Sequence, residues 1–87
     1  MIHVEFYGVL AQVAGSPARD YPLEQPRSLT DVLNRLTADI PALAAHLPTT
    51  ACAVDDEIVP RNATIRPGAR LALLPPVSGG RGRGRGR

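Results

Sequence analysis

No lysine and no tryptophan occur among the 87 residues, cysteine occurs once, and three side chains are aromatic: Phe6, Tyr7 and Tyr21. A single cysteine, Cys52, builds neither a disulfide framework nor a zinc site by itself, so a reduced, cytoplasmic chain is expected. With 44% hydrophobic residues and so few rings, any core must be aliphatic. No stretch approaches the roughly 18 apolar residues of a membrane span, and the opening lacks the basic-then-apolar pattern of a secretory signal, so no membrane association is expected. The formal charge of +2 conceals an asymmetry. Residues 1–80 carry six arginines against eight acids, and Arg81, Arg83, Arg85 and Arg87 reverse the sign. The body is therefore mildly acidic, which argues against a basic nucleic-acid-binding domain. The length allows one small domain, which buries about 60–65% of its unfolded surface.

Ile2, Val4 and Phe6 alternate with His3, Glu5 and Tyr7, as in a strand buried on one face. Gly8 ends that alternation, and Leu10, Val13 and Ala14 suit a short helical turn closed by Gly15. Residues 18–23 read as a second strand forming a hairpin with the first, placed at an edge by Pro22 and Pro26. Ser28-Leu29-Thr30-Asp31 is a helix-start signal, after which Leu29, Val32, Leu33, Leu36 and Ile40 lie on one helical face. Pro41 halts that helix, and Leu43 and Leu47 suggest a short second helix ended by Pro48. Residues 50–54 and 57–59 form a hairpin about Asp55-Asp56, and Pro67-Gly68 suits a type II turn before a last strand at 70–74. In that strand Leu71 and Leu73 share one face, Ala72 and Leu74 the other. This order predicts an α+β domain, one main helix across a mixed sheet of about five strands. If the first and last strands are neighbours, it is the β-grasp (ubiquitin-like) arrangement.

Residues for ordinary catalysis are not grouped. His3 and His46 are isolated in sequence and read as surface or structural histidines. Asp55, Asp56 and Glu57 read as a solvated turn rather than a cation site, and Cys52 as a small packed thiol with nothing nearby to lower its pKa. The informative segment is Pro75-Pro76-Val77-Ser78-Gly79-Gly80. Two prolines keep it extended, the residues after Pro75 reach about 17 Å, and Ser and Gly add little width. Such a segment threads a narrow channel in another protein, or serves as a disordered linker.

The ending Leu73-Leu74-Pro75-Pro76-Val77-Ser78-Gly79-Gly80 resembles that of the MoaD/ThiS sulfur-carrier family, most closely the molybdopterin synthase small subunits. Met1-Ile2-His3-Val4-Glu5-Phe6-Tyr7 is similar to that family's first strand. Ala53-Val54-Asp55-Asp56-Glu57-Ile58-Val59-Pro60 is similar to its central hairpin, with Asp-Asp where Asn-Gly is common. Ile65-Arg66-Pro67-Gly68-Ala69-Arg70-Leu71-Ala72 is similar to the approach to its last strand. The resemblance implies a β-grasp domain at 1–74 and an extended tail at 75–80; the Arg-Gly repeat at 81–87 reads as a disordered extension beyond it.

It also implies a carrier without catalytic groups of its own or bound cofactor. The carboxylate of Gly80, beside Gly79, would be adenylated with ATP by an E1-like (MoeB-like) enzyme. Sulfur from a cysteine desulfurase or rhodanese would then make a thiocarboxylate. The tail, including Pro75, Pro76, Val77 and Ser78, would enter the molybdopterin synthase large subunit (MoaE-like). There sulfur would pass to cyclic pyranopterin monophosphate, forming the dithiolene of molybdopterin. Tyr7, Ile58 and Leu74 match the family's apolar docking patch, against a competing placement of Ile58 and Leu74 in the core. Carriers for thiamin or cysteine biosynthesis, and ubiquitin-like protein modifiers, use the same activated glycine. The missing lysines exclude ordinary lysine-linked chains of this protein. Family members end at the second glycine, whereas here Arg81-Gly82-Arg83-Gly84-Arg85-Gly86-Arg87 follows and leaves Gly80 an amide. A maturation protease acting after Gly80 ranks first, an inert extension second, and RNA binding by the arginines third.

Overall fold

The computed structural model describes residues 1–76. Strand β1 (Ile2–Phe6) buries Ile2, Val4 and Phe6, while His3, Glu5 and Tyr7 face outward. Helix α1 (Val9–Ala14) ends at Gly15, whose φ of 76° is the left-handed cap that glycine adopts without strain. β2 (Ala18–Tyr21) pairs antiparallel with β1 at the sheet edge and stops before Pro22, shorter than the alternation suggests. Helix α2 (Leu29–Asp39) supplies Leu29, Val32, Leu33 and Leu36 to the core. It is followed by two 3₁₀ turns, Pro41–Ala45 and Leu47–Thr49, rather than one short helix. Pro48 sits inside the second turn instead of ending it, since an early helical position needs no backbone N–H.

A two-stranded ribbon that alternation did not reveal joins β3 (Arg27–Ser28) to β6 (Thr64–Ile65). Two-residue strands are too short to carry a period. This ribbon anchors the start of α2. Ser28 Oγ accepts from Asp31 N–H at 3.1 Å, Leu29 N–H donates to Ala63 C=O at 2.8 Å, and Thr30 N–H donates to Arg61 C=O at 3.1 Å. Three otherwise unpaired donors at the helix start are thus satisfied.

β4 (Ala51–Val54), β5 (Glu57–Val59) and β7 (Arg70–Leu74) complete a five-stranded sheet in the order β2-β1-β7-β4-β5. β1 and β7 pair in parallel at its centre, with His3 opposite Arg70 and Phe6 opposite Leu73. First and last strands are therefore neighbours, and the fold is the ubiquitin-like β-grasp with one main helix across the sheet. Asp55 and Asp56 both adopt positive φ, 49° and 73°, which a two-residue hairpin turn requires and aspartate tolerates. At the preceding loop, Ala69 N–H donates to Arg66 C=O across Pro67-Gly68, with Gly68 at φ 89°. The core is aliphatic apart from Phe6 and Cys52, gathering Val4, Leu10, Leu29, Leu36, Leu43, Ile65, Leu71 and Leu73.

The edge of the sheet is tied to the end of α2. Arg19 Nη1 and Tyr21 OH both donate to Asp39 Oδ2, at 3.0 and 2.7 Å. Burial, then the bond to Asp39, pushes the Tyr21 phenol up to about 12. Because the folded value exceeds the unfolded one of about 10, this stabilisation is complete below pH 10. It is lost as pH rises from about 10 to about 12. In a Tyr7→Phe background, phenolate absorbance is expected to titrate with a midpoint near 12 while folded; a midpoint near 10 in folded protein would contradict the burial.

Candidate functional site

The face of the sheet opposite α2 is built by register. Glu5, Ala72, Ala53 and Ile58 form one row across β1, β7, β4 and β5, and Leu74 lies opposite Ala51 in the next. Tyr7 joins this face, since its hydroxyl donates to Glu5 Oε1 at 2.9 Å. That bond, with the nearby Glu5 charge, raises the Tyr7 pKa. Ile58 is 66% and Tyr7 46% exposed, and Leu74 is half-buried. The core placement of Ile58 and Leu74 is thereby excluded: both belong to an outward patch floored by alanines. The small floor is what leaves the larger apolar side chains standing clear of the sheet.

The polar rim lies toward the start of β1. His3 Nδ1 is 2.7 Å from Asp20 Oδ1, and its Nε2 is 3.6 Å from Glu5 Oε2. The histidine that is isolated in sequence is thus flanked by two carboxylates, because the β1–β2 register sets it opposite Asp20. His46 serves the chain through its backbone, its N–H donating to Leu43 C=O and its C=O accepting from the Thr50 hydroxyl. Asp55 and Asp56 form the exposed hairpin turn and hold Arg70, Asp56 Oδ1 accepting from Arg70 Nη2 at 2.6 Å. No group of three or more His, Cys, Asp or Glu suited to a metal occurs among the described residues.

At the opposite end, β7 delivers the tail. Tyr7 N–H donates to Leu73 C=O at 3.3 Å, and the half-buried Pro75 crosses directly over Gly8. A Cβ on Gly8 would stand 3.0 Å from Pro75 Cγ. Gly8 also has φ 57° and ψ −133°, a conformation that side chains rarely adopt. In the sequence Gly8 marks only a strand end; its neighbour across the sheet is invisible in a linear pattern. Pro75 and the exposed Pro76 are thus the first residues leaving the fold, beside Tyr7 and Leu74. Val77, Ser78, Gly79 and Gly80, and the 81–87 extension, lie outside the described residues.

Cys52 is buried, but it is not without a cation. Arg61 Nη1 donates to Cys52 Sγ at 2.7 Å, and Nη2 bridges Leu47 C=O and Thr50 C=O, the latter at 2.7 Å. Burial raises the thiol pKa and outweighs the lowering by Arg61. The expectation that nothing nearby lowers it is therefore corrected, while the packed, protonated thiol remains. No linear signal links residues 52 and 61; the β4–β5 hairpin brings them together.

Two surface hollows lie apart from the tail exit. One of about 440 Å³ is lined by residues including Glu24, Arg27 and Arg35, and one of about 400 Å³ by Leu33, Leu47 and Arg61 among others. Neither hollow joins a nucleophile to a base among its lining residues.

The fold is the ubiquitin-like β-grasp, with its last central strand leading out past an apolar face. Residues 4–80 match the ThiS family. The chain belongs to that family, and it is a ubiquitin-like sulfur carrier of the ThiS/MoaD type. It is similar to SAMP1 from Haloferax volcanii, with 26% identity and a TM-score of 0.80 over 90% of this chain and 97% of that one. Small archaeal modifier protein 1 from Methanosarcina acetivorans has 21% identity and a TM-score of 0.78, covering 90% and 94%. A chain in the complex of subunits 1 and 2 of molybdopterin-converting factor from Helicobacter pylori has 22% identity and a TM-score of 0.63, covering 90% and 96%. The last two likenesses speak to the fold. No helix among the described residues is long and apolar enough to cross a membrane.

Proposed function

We propose that this chain is the small, sulfur-carrying subunit of a molybdopterin synthase, matured by cleavage between Gly80 and Arg81. The observation that carries the reading is the tail exit: Pro75 crosses Gly8 beside Tyr7 and Leu74, so a partner held by the patch is next to the start of the reactive tail. The Pro-Pro-Val-Ser-Gly-Gly ending favours the molybdopterin branch.

The chemistry asks for a free terminus. The Gly80 carboxylate attacks the α-phosphorus of ATP on an E1-like enzyme and pyrophosphate leaves. Sulfur from a persulfide donor displaces AMP from the acyl carbon, and a thiol reductant releases the thiocarboxylate. In the large subunit that sulfur goes to cyclic pyranopterin monophosphate, with water supplying the oxygen that restores the carboxylate. The carrier contributes reach and a terminus without side chains, while its partners contribute the catalytic groups.

The test compares chains ending at Gly80 and at Arg87, each given ATP, the activating enzyme and a sulfur donor. The Gly80 form is expected to gain the mass of sulfur replacing oxygen and to convert the pterin precursor on the large subunit. The Arg87 form is expected to do neither. Persistence of residues 81–87 in thiocarboxylated protein from the native host would refute maturation. Ile58→Asp is expected to weaken large-subunit binding at least tenfold, about 1.4 kcal/mol, with stability unchanged within about 0.5 kcal/mol because Ile58 is exposed. Calorimetric titration together with thermal unfolding reads both.

The likeness to SAMP1 favours a second reading, a modifier attached to proteins through the same glycine. Isopeptide-linked conjugates ending in Gly80 would establish it. Sulfur carriage for thiamin or cysteine biosynthesis would instead appear as transfer that needs no synthase large subunit.

A further inference from the structure

We propose that Glu5 is a positioning residue of the docking patch, holding the Tyr7 ring over the alanine floor in the orientation that the large subunit meets. One row crosses the outer face from β2 to β5: Ala18, Glu5, Ala72, Ala53 and Ile58. Glu5 is the one charged side chain in it. A carboxylate among such neighbours adds nothing to apolar docking, and it loses water when a partner covers the patch. Its place is explained by what it holds.

Tyr7 OH donates to Glu5 Oε1 at 2.9 Å, from two residues further along the chain. Glu5 is itself steadied from the other side. His3 Nε2 lies 3.6 Å from Glu5 Oε2, and His3 Nδ1 lies 2.7 Å from Asp20 Oδ1. The four side chains form a line that starts at Asp20 on the edge strand and ends at Tyr7 beside the tail exit. Tyr7 N–H donates to Leu73 C=O, so the backbone under the ring is fixed, while the residue is 46% exposed. Among the described residues, Glu5 is the only partner of its hydroxyl.

Without that bond an exposed ring spreads over three staggered wells about χ1. Equal populations leave about a third of the molecules ready to dock, which weakens binding about threefold. The bond removes this dilution before a partner arrives, and it gives the carboxylate a donor that survives burial. The effect on docking rests on the carrier reading; the orientation of Tyr7 belongs to the free carrier. Glu5→Gln keeps an acceptor for the phenol and drops the charge, whereas Glu5→Ala drops both.

In the full chain, three-bond couplings of the Tyr7 β-protons are expected to report one χ1 rotamer, unchanged in Glu5→Gln and averaged in Glu5→Ala. Phenolate absorbance in a Tyr21→Phe background gives a second readout. The bond to Glu5, then its charge, raises the Tyr7 pKa, so Glu5→Ala should lower the midpoint toward the ordinary tyrosine value. The Arg70–Asp56 pair, which also bears on that phenol, is the same in both forms. Calorimetric titration with the large subunit should show a Kd about threefold higher for Glu5→Ala and for Tyr7→Phe, with no further loss when the two are combined. Glu5→Gln should bind nearly as the unaltered chain does. Tyr7→Phe keeps Glu5, so it carries the same expectation should Glu5→Ala fail to fold. A single rotamer or an unmoved midpoint in Glu5→Ala would overturn the proposal. Equal losses in Glu5→Gln and Glu5→Ala would overturn it too, by showing that the partner reads the charge. No binding of the unaltered chain would instead overturn the carrier reading, with rotamer and midpoint still deciding the role of Glu5.

Discussion

Arg61→Ala is expected to lower stability by about 2–3 kcal/mol, the cost of removing a charged donor from partly buried acceptors. For a domain of this size that corresponds to a melting temperature lower by about 10–20 °C. The reason is the position of the guanidinium. It spans the second 3₁₀ segment, from Leu47 at its start to Thr50 just past its end, and reaches β4 through Cys52, closing the corner between helical layer and sheet. Alanine removes the Arg61 donor from Thr50 C=O, the Cys52 thiol and Leu47 C=O, the last of which keeps Thr50 N–H, and opens a path for water to Cys52. Arg61→Lys should recover only part of the loss, since one ammonium cannot reproduce the planar fork. Denaturant unfolding gives the energy, and the rate of Cys52 with a thiol reagent gives the opening of the corner. The reagent should react with native protein only slowly, and markedly faster in the alanine variant. A stability loss below about 0.5 kcal/mol would show that water replaces Arg61 without consequence.

Gly8→Ala is expected to redirect the tail. Two costs add there: a positive φ that a side chain resists, and a Cβ at 3.0 Å from the Pro75 ring. Together they should lower stability by about 1–3 kcal/mol. The exit of residues 75 and 76 from the fold should shift with them. On the proposed function, delivery of the tail to a partner depends on where it leaves the domain, so sulfur transfer should fall about tenfold or more, the scale on which small misplacements act. Pairing the change with Pro75→Ala separates the causes. The double variant should regain the part due to contact and keep the part due to φ. Equal losses with and without Pro75→Ala would mean the contact contributes nothing, leaving only the backbone effect.

Both positions bear on what was legible beforehand. The strand faces were readable because Ile2, Val4, Phe6, Leu71 and Leu73 repeat with period two. The start of α2 was readable because Ser28 and Asp31 carry their capping chemistry locally. The Asp55-Asp56 turn was readable for the same reason: aspartate tolerates the positive φ found there. The role proposed for the tail rests on its resemblance to a family, since Pro, Ser and Gly alone describe a linker equally well. Arg61, Gly8 and the pairing of His3 with Asp20 escaped, because each is defined by a residue at least nine positions away in sequence, and periodicity reports only neighbours.

Local chemistry thus accounts for the elements, their buried faces, their turns and the charge reversal after Gly80. Each follows from side-chain type and spacing over a few residues. Whether Ile58 and Leu74 belong to core or surface, where the tail leaves the domain, and which cation meets Cys52 required strands from distant parts of the chain to find their register. Alternation sorts residues into two faces. It cannot say which face a helix covers until the parallel pairing of β1 with β7 brings the two ends of the domain together.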